Sequence, residues 1–375
     1  MKILIIITKA VVGGAQMSVL NLARELEARG HKVTVGAGDG DFLPAELAKE
    51  NISFRRFKWL QRTHDPLANI FFIGEICNFL RKNKFEVVHF NSSNALPGAL
   101  GAKLAGKIRT VFTFRGMSML DEHYVKDSAK KIFYWVFFKF FLLFIDAPVF
   151  VSQDNFEKFG QGRLTGRGVL IHNGLDPVRL NFVSREEAIR FFSEKAGANL
   201  SEKYLLGSLG RLDYAKNYEF LISVFPEIIK IRPDAAAIII GAGDERAKYE
   251  ELIKKNNLSD KIFLIGNVDN GSRYLRGFDL LVLPSRYEGL AISLLEGLFS
   301  GLPMLASRVG GNAEVVGTDE EIYKLDNAAD FLEKFRGLQD IDVIDRVLKI
   351  NCQQTEKYNL KNTADGYEKV YVKAK

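Results

Sequence analysis

The run KILIII at residues 2–7 leads through a short loop into GGAQMSVLNLARELEARG, and this junction constrains the fold more than any other stretch. A segment so short and so uniformly apolar reads as a strand buried on both faces, as parallel sheets require. Residues 15–29 then place apolar side chains at helical spacing and stop at Gly30, a residue type favoured just past a helix end. HKVTVGA supplies the next strand, which completes a β-α-β unit. Gly13 and Gly14 stand between the first strand and the helix. A helix N-terminus offers unpaired N–H groups, and two residues without Cβ would let an anion approach them. A tight turn with no ligand uses the same glycines, so this pair alone leaves both readings open.

The alternation continues with strands expected at 53–57, 85–90, 109–114, 147–152 and 168–172, and helices at 66–82 and 95–106. After HNGLDPVRL and a polar, helix-prone stretch it restarts at KYLLGSLG. Helices are expected at 217–231, 245–256, 271–276 and 291–300, and strands at 235–241, 261–266, 280–284 and 303–307. A chain of 375 residues, 47% of them hydrophobic, exceeds the roughly 250–300 residues at which single cores stop growing. The pattern predicts two open, doubly wound α/β domains, 1–172 and 173–356. A last helix over about 357–372 carries Tyr358, Tyr367 and Tyr371 and could pack across both.

A formal charge of +6 suits nucleic acid, an anionic membrane or an anionic small molecule, and does not choose among them. No nucleic-acid module or dense basic stripe is present, which disfavours the first. Two cysteines, Cys77 and Cys352, point to a reducing compartment without a disulfide scaffold. The N-terminal apolar run reads as a buried strand and not as a secretion signal, so a cytoplasmic location is expected. KIFYWVFFKFFLLFIDAPVFV at 131–151 approaches the length of about 20 residues that spans a bilayer, but Lys139 and Asp146 interrupt it. It reads as a buried helix plus strand, or as a helix with one face against lipid. Two basic groups, Arg55, Arg56, Lys58 and Arg62, and Lys126, Lys130 and Lys131, make peripheral association with an anionic membrane surface plausible.

GAGDER at 241–246 has Arg246 where a dinucleotide fingerprint has its third glycine, and no GxxxxGK[ST] occurs. Nicotinamide dehydrogenases and phosphate-driven motors are poor readings. GRLDYAKN puts Arg211 and Lys216 just past a strand, where open α/β sheets gather ligands. Arginine offers a rigid fork to a diphosphate and lysine a mobile point charge. Glu288 and Glu296 follow in PSRYEGLAISLLEGLFSGLPMLASRVGGNAEVV. If 289–296 is largely helical, the two carboxylates stand roughly 10 Å apart. That is too far to share a proton and beyond the roughly 9.5 Å of the widest glycosidase pair. Such carboxylates could touch two parts of one elongated ligand. Asp39 and Asp41 spell DxD, but AGDGDF reads as a loop after a strand, and no metal site is expected there.

In order along the chain, VGGAQMSVLNLARELEARGHKVTV, EVVHFNSS, TVFTFRG, PVFVSQ, VLIHNGLD, GRLDYAKN, IIIGAGDE and the 284–316 block resemble the retaining glycosyltransferases of family 4, also called glycosyl transferases group 1. The resemblance implies the GT-B fold, two facing Rossmann-like domains with an interdomain cleft. The first, on the acceptor side, is completed by the C-terminal helix, 357–375; the second binds the nucleotide sugar. It implies transfer from a nucleoside diphosphate sugar, UDP- or GDP-linked, to a hydroxyl of a glycan or polyprenol-linked glycan in cell-envelope polysaccharide synthesis, with no obligatory cofactor. Arg211 and Lys216 then neutralise the departing diphosphate, Glu296 takes the ribose hydroxyls, and Glu288 holds the transferred sugar. Backbone at Gly289 and Leu290 faces the sugar, and Gly13 and Gly14 lie beneath the phosphates. His89 and Asn91 point toward the cleft, although a packed histidine is the plainer reading of His89; His172 and Asn173 shape a turn. Arg115 departs from the family's common histidine, and since arginine accepts no proton near neutral pH it implies altered sugar or acceptor recognition. A nucleotide-sugar epimerase of related architecture and a non-catalytic nucleotide-sugar-binding homologue are the alternatives.

Overall fold

The computed structural model describes residues 1–63, 65–116, 127–161 and 164–372. The chain divides into two compact units, Met1–Leu175 together with the segment from Tyr358 onward, and Asp176–Lys357. In the first, strands β1 (Lys2–Ile7), β2 (Lys32–Ala37), β3 (Ser53–Arg56), β4 (Val87–Phe90), β5 (Arg109–Phe114), β6 (Ala147–Phe150) and β7 (Val169–Leu170) alternate with helices. These are α1 (Gly14–Ala28), α2 (Phe42–Lys49), α3 (Pro66–Asn83), α4 (Gly98–Ala105), α5 (Ser128–Leu142) and the single turn α6 (Gln153–Asn155). All the strand pairs are parallel, in the order β3-β2-β1-β4-β5-β6-β7. Successive residues of β1 alternate between two cores. Ile3, Ile5 and Ile7 join the core that includes Val19 and Leu22 of α1, while Leu4 and Ile6 join the one that includes Phe72 and Ile76 of α3. This two-sided burial accounts for the unbroken apolar run in the sequence.

The second unit opens with α7 (Arg185–Ala196) and then β8 (Tyr204–Leu209), α8 (Tyr218–Ile231), β9 (Ala235–Ile240), α9 (Arg246–Lys255) and β10 (Ile262–Gly266). A 3₁₀ segment over Gly271–Gly277 precedes β11 (Leu280–Leu283), α10 (Ile292–Ser300), β12 (Met304–Ser307), α11 (Asn312–Val316) and β13 (Ile322–Tyr323). Helices α12 (Ala328–Gly337) and α13 (Ile341–Lys357) close the unit. Its strands run β10-β9-β8-β11-β12-β13, so both sheets reverse direction of growth beside their own first strand. That reversal opens a crevice at the C-terminal strand ends, where such sheets take ligands.

The last helix, α14 (Leu360–Val372), belongs to the first unit, where Ala364, Tyr367, Val370 and Tyr371 enter the core shared by α1 and β1. Leu175 bridges to Asn359, donating its N–H to Tyr358 O and accepting from Leu360 N, both at 2.9 Å.

One stretch goes beyond the sequence expectation, and in another the expected helix and strand both form. Residues after AGDGD form α2, capped at Asp41, because Leu43 and Leu47 reach the core one helical turn apart. The 131–151 run divides into α5 and β6, and α5 is two-faced. Phe138 and Leu142 are buried, while Ile132, Phe133, Trp135, Val136 and Phe140 lie exposed at helical spacing. Asp146, which interrupts the run, accepts from Lys103 Nζ at 2.7 Å and from Thr110 N at 2.8 Å; burial pushes its carboxyl up, but these contacts together outweigh it and hold the carboxyl below the usual range. Lys126 lies outside the described residues. No described helix is long and apolar enough to cross a membrane.

Candidate active site

In the second unit the chain leaves β8 as GRLDYAKN. Asp213 closes this turn by accepting Lys216 N through its carbonyl oxygen, at 3.1 Å, and through Oδ1, at 3.2 Å. Its other carboxylate oxygen lies 2.9 Å from Nη2 of Arg211, whose side chain is largely exposed. Lys216 points back toward β11, and its Nζ donates to Glu288 Oε1 at 2.7 Å. Ser285 Oγ donates to the same oxygen at 2.7 Å. Arg286 N donates to Ala215 O at 2.8 Å, which ties the two loops together. The structure thus joins Lys216 and Glu288, far apart in sequence, at the ends of the adjacent strands β8 and β11.

Glycine explains how these loops come so close. Gly241 has φ +151°, and a Cβ there would collide with the Gly210 carbonyl at the root of the Arg211 loop. Gly310 has φ +49°, and its Cβ would collide with the Glu288 carbonyl. Gly311 N donates to Gly289 O at 2.8 Å beside it. The GAGDE and VGG stretches therefore hold the basic and acidic loops by backbone contact. Sequence reasoning missed this role for Gly210, Gly241 and Gly310; its signal was a glycine turn after each neighbouring strand.

Residues 289–291 precede α10, which begins at Ile292 after an extended Ala291. The helical-rise distance between Glu288 and Glu296 therefore does not hold, since only the latter part of that interval is helical. Glu296 lies in the second turn. Desolvation pushes its carboxyl up to about 7, against a hydrogen bond with Ser272 and the Lys216 charge. Gly289 and Leu290 are buried between Glu288 and the helix.

In the first unit, Gly13 precedes α1 in extended backbone that any residue can adopt, so conformation does not demand glycine there. A Cβ would meet only the tip of the flexible Gln16 side chain. No side chain caps α1 and no acid stands in its first turn, so Gly14 opens a helix whose N-terminus is electrostatically suited to an anion.

His89 takes the plainer of its two readings, a packed and hydrogen-bonded histidine. It is fully buried, with Nδ1 2.8 Å from the Tyr371 hydroxyl and Nε2 2.7 Å from the Thr113 hydroxyl. A neutral imidazole has one donor and one acceptor, and both are engaged here. Burial, and then the Arg115 charge, push its pKa well below the ordinary value. Asn91 is buried too, and its Oδ1 accepts from Arg115 Nε at 3.1 Å and Nη2 at 2.8 Å. Asn173 accepts Arg115 Nη1 at 2.7 Å, a role beyond shaping the turn. Thr363 Oγ1 donates to His172 O at 3.0 Å. Asp41 of the DxD lies at the surface, paired with Arg56 at 2.8 Å. Among the described residues no group of three or more His, Cys, Asp or Glu is placed to hold a metal.

Two family models match in succession, Glycosyltransferase Family 4 over residues 12–179 and Glycosyl transferases group 1 over residues 190–359. The chain is a glycosyltransferase of the GT-B fold, related to family 4. An uncharacterized glycosyltransferase, MJ1607, of Methanocaldococcus jannaschii is 35% identical over 39% of this chain and 38% of its own length. The match thus spans under half of that relative. The Escherichia coli UDP-Gal:alpha-D-GlcNAc-diphosphoundecaprenol alpha-1,3-galactosyltransferase is 23% identical over 88% of this chain and 91% of its own. In fold, the chain matches the structure of Anabaena Alr3699/HepE in complex with UDP and glucose, with a TM-score of 0.82, 18% identity and 98% of each chain covered. The Lys216–Glu288 pair lies at the second sheet's topological switch, where open α/β sheets take ligands.

Proposed function

We propose that this transferase moves a sugar, with retention of anomeric configuration, from a UDP- or GDP-linked donor to a hydroxyl of a glycan or polyprenol-linked glycan, in the synthesis of an envelope polysaccharide. The observation that carries the reading is the joining of Lys216 to Glu288 and Ser285 beside the Arg211 loop. The likeness to the Escherichia coli enzyme, whose name gives a UDP-linked donor and a diphosphoundecaprenol acceptor, supports the substrate classes.

Cleavage of the anomeric bond leaves negative charge on the diphosphate. In this reading Arg211 and Lys216 receive that charge, and their effect grows as the charge develops, so they lower the barrier more than they tighten donor binding. Lys216 then exchanges its bond with Glu288 for a phosphate oxygen, which frees the Glu288 carboxylate for the hydroxyls of the transferred sugar. Glu296 accepts from the ribose hydroxyls, and the backbone at Gly289 and Leu290 lines the sugar. In the first unit, the Gly13–Gly14 turn presents N–H donors to an anionic part of the substrates. The acceptor loses its proton to a donor phosphate oxygen on the face the leaving group vacates.

The acceptor class also gives the exposed face of α5 a purpose. Trp135, Phe133 and Phe140, beside Lys130 and Lys131, suit shallow insertion among anionic headgroups. Binding to anionic vesicles is expected, and it should weaken when Lys130 and Lys131 are neutralised; failure to bind any vesicle contradicts this part alone.

The test is a panel of UDP- and GDP-sugars incubated with the protein and a lipid extract, following free nucleotide and product by mass spectrometry. Transfer predicts nucleotide and glycosylated lipid from one donor. A rearranged nucleotide sugar would indicate an epimerase, and tight binding with neither product would indicate a binding protein.

A further inference from the structure

Arg115 follows β5 at the C-terminal edge of the first sheet, next to the strand that carries His89 and leads to Asn91. Its guanidinium is half-buried, and three of its N–H donors go to neutral acceptors, two to Asn91 Oδ1 and one to Asn173 Oδ1. Both amides are buried, so the fork is held in a fixed orientation. The guanidinium carries five N–H donors, and among the described residues two remain beyond those three bonds.

Two other partly buried arginines of this unit have carboxylate partners, whereas Arg115, like Arg109 on the Val370 carbonyl, is bonded only to neutral acceptors among the described residues. Arg24 lies within 3.4 Å of Glu46 and 3.1 Å of Glu50, and Arg29 lies close to Glu25, Asp365 and Glu368. Among the described residues no carboxylate forms an ion pair with Arg115. Desolvation pulls its pKa down, and the groups that oppose this are the Tyr367 and Tyr371 phenols, neutral at pH 7. His89 beneath it is neutral and committed to hydroxyls, so it brings no negative charge. A half-buried cation held by neutral amides has no opposite charge beside it, and an oxyanion that takes the remaining donors would supply one through charge-assisted hydrogen bonds.

We propose that Arg115 is the recognition site for an oxyanion on a substrate, a carboxylate or a phosphate, with Asn91 and Asn173 as the residues that position its fork. The proposal rests on the transferase reading and adds a charge requirement to it. The oxyanion has two possible sources, a carboxylate on the donor sugar and a phosphate on the acceptor, and both would be gripped through two parallel N–H···O bonds.

Calorimetry of UDP, UDP-glucose and UDP-glucuronate on wild type, Arg115→Gln and Arg115→Lys addresses the first source. A sugar carboxylate predicts that wild type binds UDP-glucuronate at least tenfold tighter than UDP-glucose, that Arg115→Gln erases this ratio while UDP affinity is unchanged, and that Arg115→Lys keeps part of it. Initial rates with undecaprenyl-diphosphate-linked and neutral alkyl glycoside acceptors address the second. A phosphate source predicts that Arg115→Gln raises KM at least tenfold for the former and not the latter, with kcat little changed.

Loss of affinity or rate by the same factor for charged and neutral substrates would make Arg115 a structural residue and overturn the proposal. So would charged-to-neutral ratios unchanged by substitution in both the donor and the acceptor assays. If wild type binds no nucleotide, the transferase reading fails separately. The anion site is then read by thermal shift with free glucuronate and methyl phosphate, where protection of wild type but not of Arg115→Gln upholds it and equal protection refutes it.

Discussion

The two sheets share a strand order around their switch points but differ in the chemistry at their C-terminal edges. The first edge is built of buried neutral groups, His89, Asn91 and Asn173, around the half-buried cation Arg115, with two tyrosines of α14 bonded behind them. The second is built of charges already paired, Lys216 with Glu288 and Arg211 with Asp213. Topology decides where a ligand gathers, and the loop residues decide which ligand it is. A pre-paired edge can exchange partners as a substrate's charge changes, which suits a departing diphosphate. A neutral edge holding one cation suits recognition of a fixed group.

The sharpest break of this comparison is Lys216→Met. Loss of one preorganised cation at developing charge should lower kcat by about 10²–10³-fold, whereas donor affinity should fall far less. Steady-state nucleotide release checks it. An equal loss in both would make Lys216 a binding residue only.

The second unit also buries an acid away from its edge. Glu321 accepts from Met304 N at 2.7 Å and Asn351 Nδ2 at 2.9 Å, and burial pushes its carboxyl up to about 8. Because the folded pKa is raised above the ordinary 4.5, the stability it contributes is fully present below about 4.5 and is lost as pH rises through about 8. The loss should be on the order of 2–4 kcal/mol at the alkaline end. Glu321→Gln keeps the acceptor and removes the titration. Denaturant midpoints from pH 5 to pH 9 should therefore fall for wild type and stay flatter for the variant.

Desolvation pushes the Glu296 carboxyl up to about 7, and on the proposed reading its carboxylate is the form that would accept ribose hydroxyls. With its pKa at about 7, the ionised fraction falls roughly tenfold from pH 8 to pH 6, and UDP affinity should fall by about the same factor. Glu296→Gln should bind more weakly at pH 8 and lose that pH dependence. The smallest effect lies behind the first edge. Tyr371→Phe removes one buried hydrogen bond to His89 and should destabilise the protein by about 1–3 kcal/mol, with the second unit's donor affinity unchanged.

The parallel sheets were legible because KILIII and its successors are buried on both faces, and the tyrosines of α14 marked a helix with a specific destination. The charged edge was legible too, since GRLDYAKN and the Glu288 block follow strand ends. The neutral edge was not. A packed His89 was the plainer reading of VVHFNSS, but its partners Thr113 and Tyr371 come from distant parts of the chain and could not be read there. Asn173 was hidden for the same reason. Helix α2 was missed because a short helix after a glycine-rich turn carries little periodic signal.

The most direct measurement is hydrogen exchange of the full chain with and without UDP, with GDP as the second probe. Donor binding at the charged edge predicts that the strongest protection falls in peptides covering residues 210–217 and 285–296. Protection confined to the first unit, or to neither segment, would contradict the division of chemistry between the two sheets.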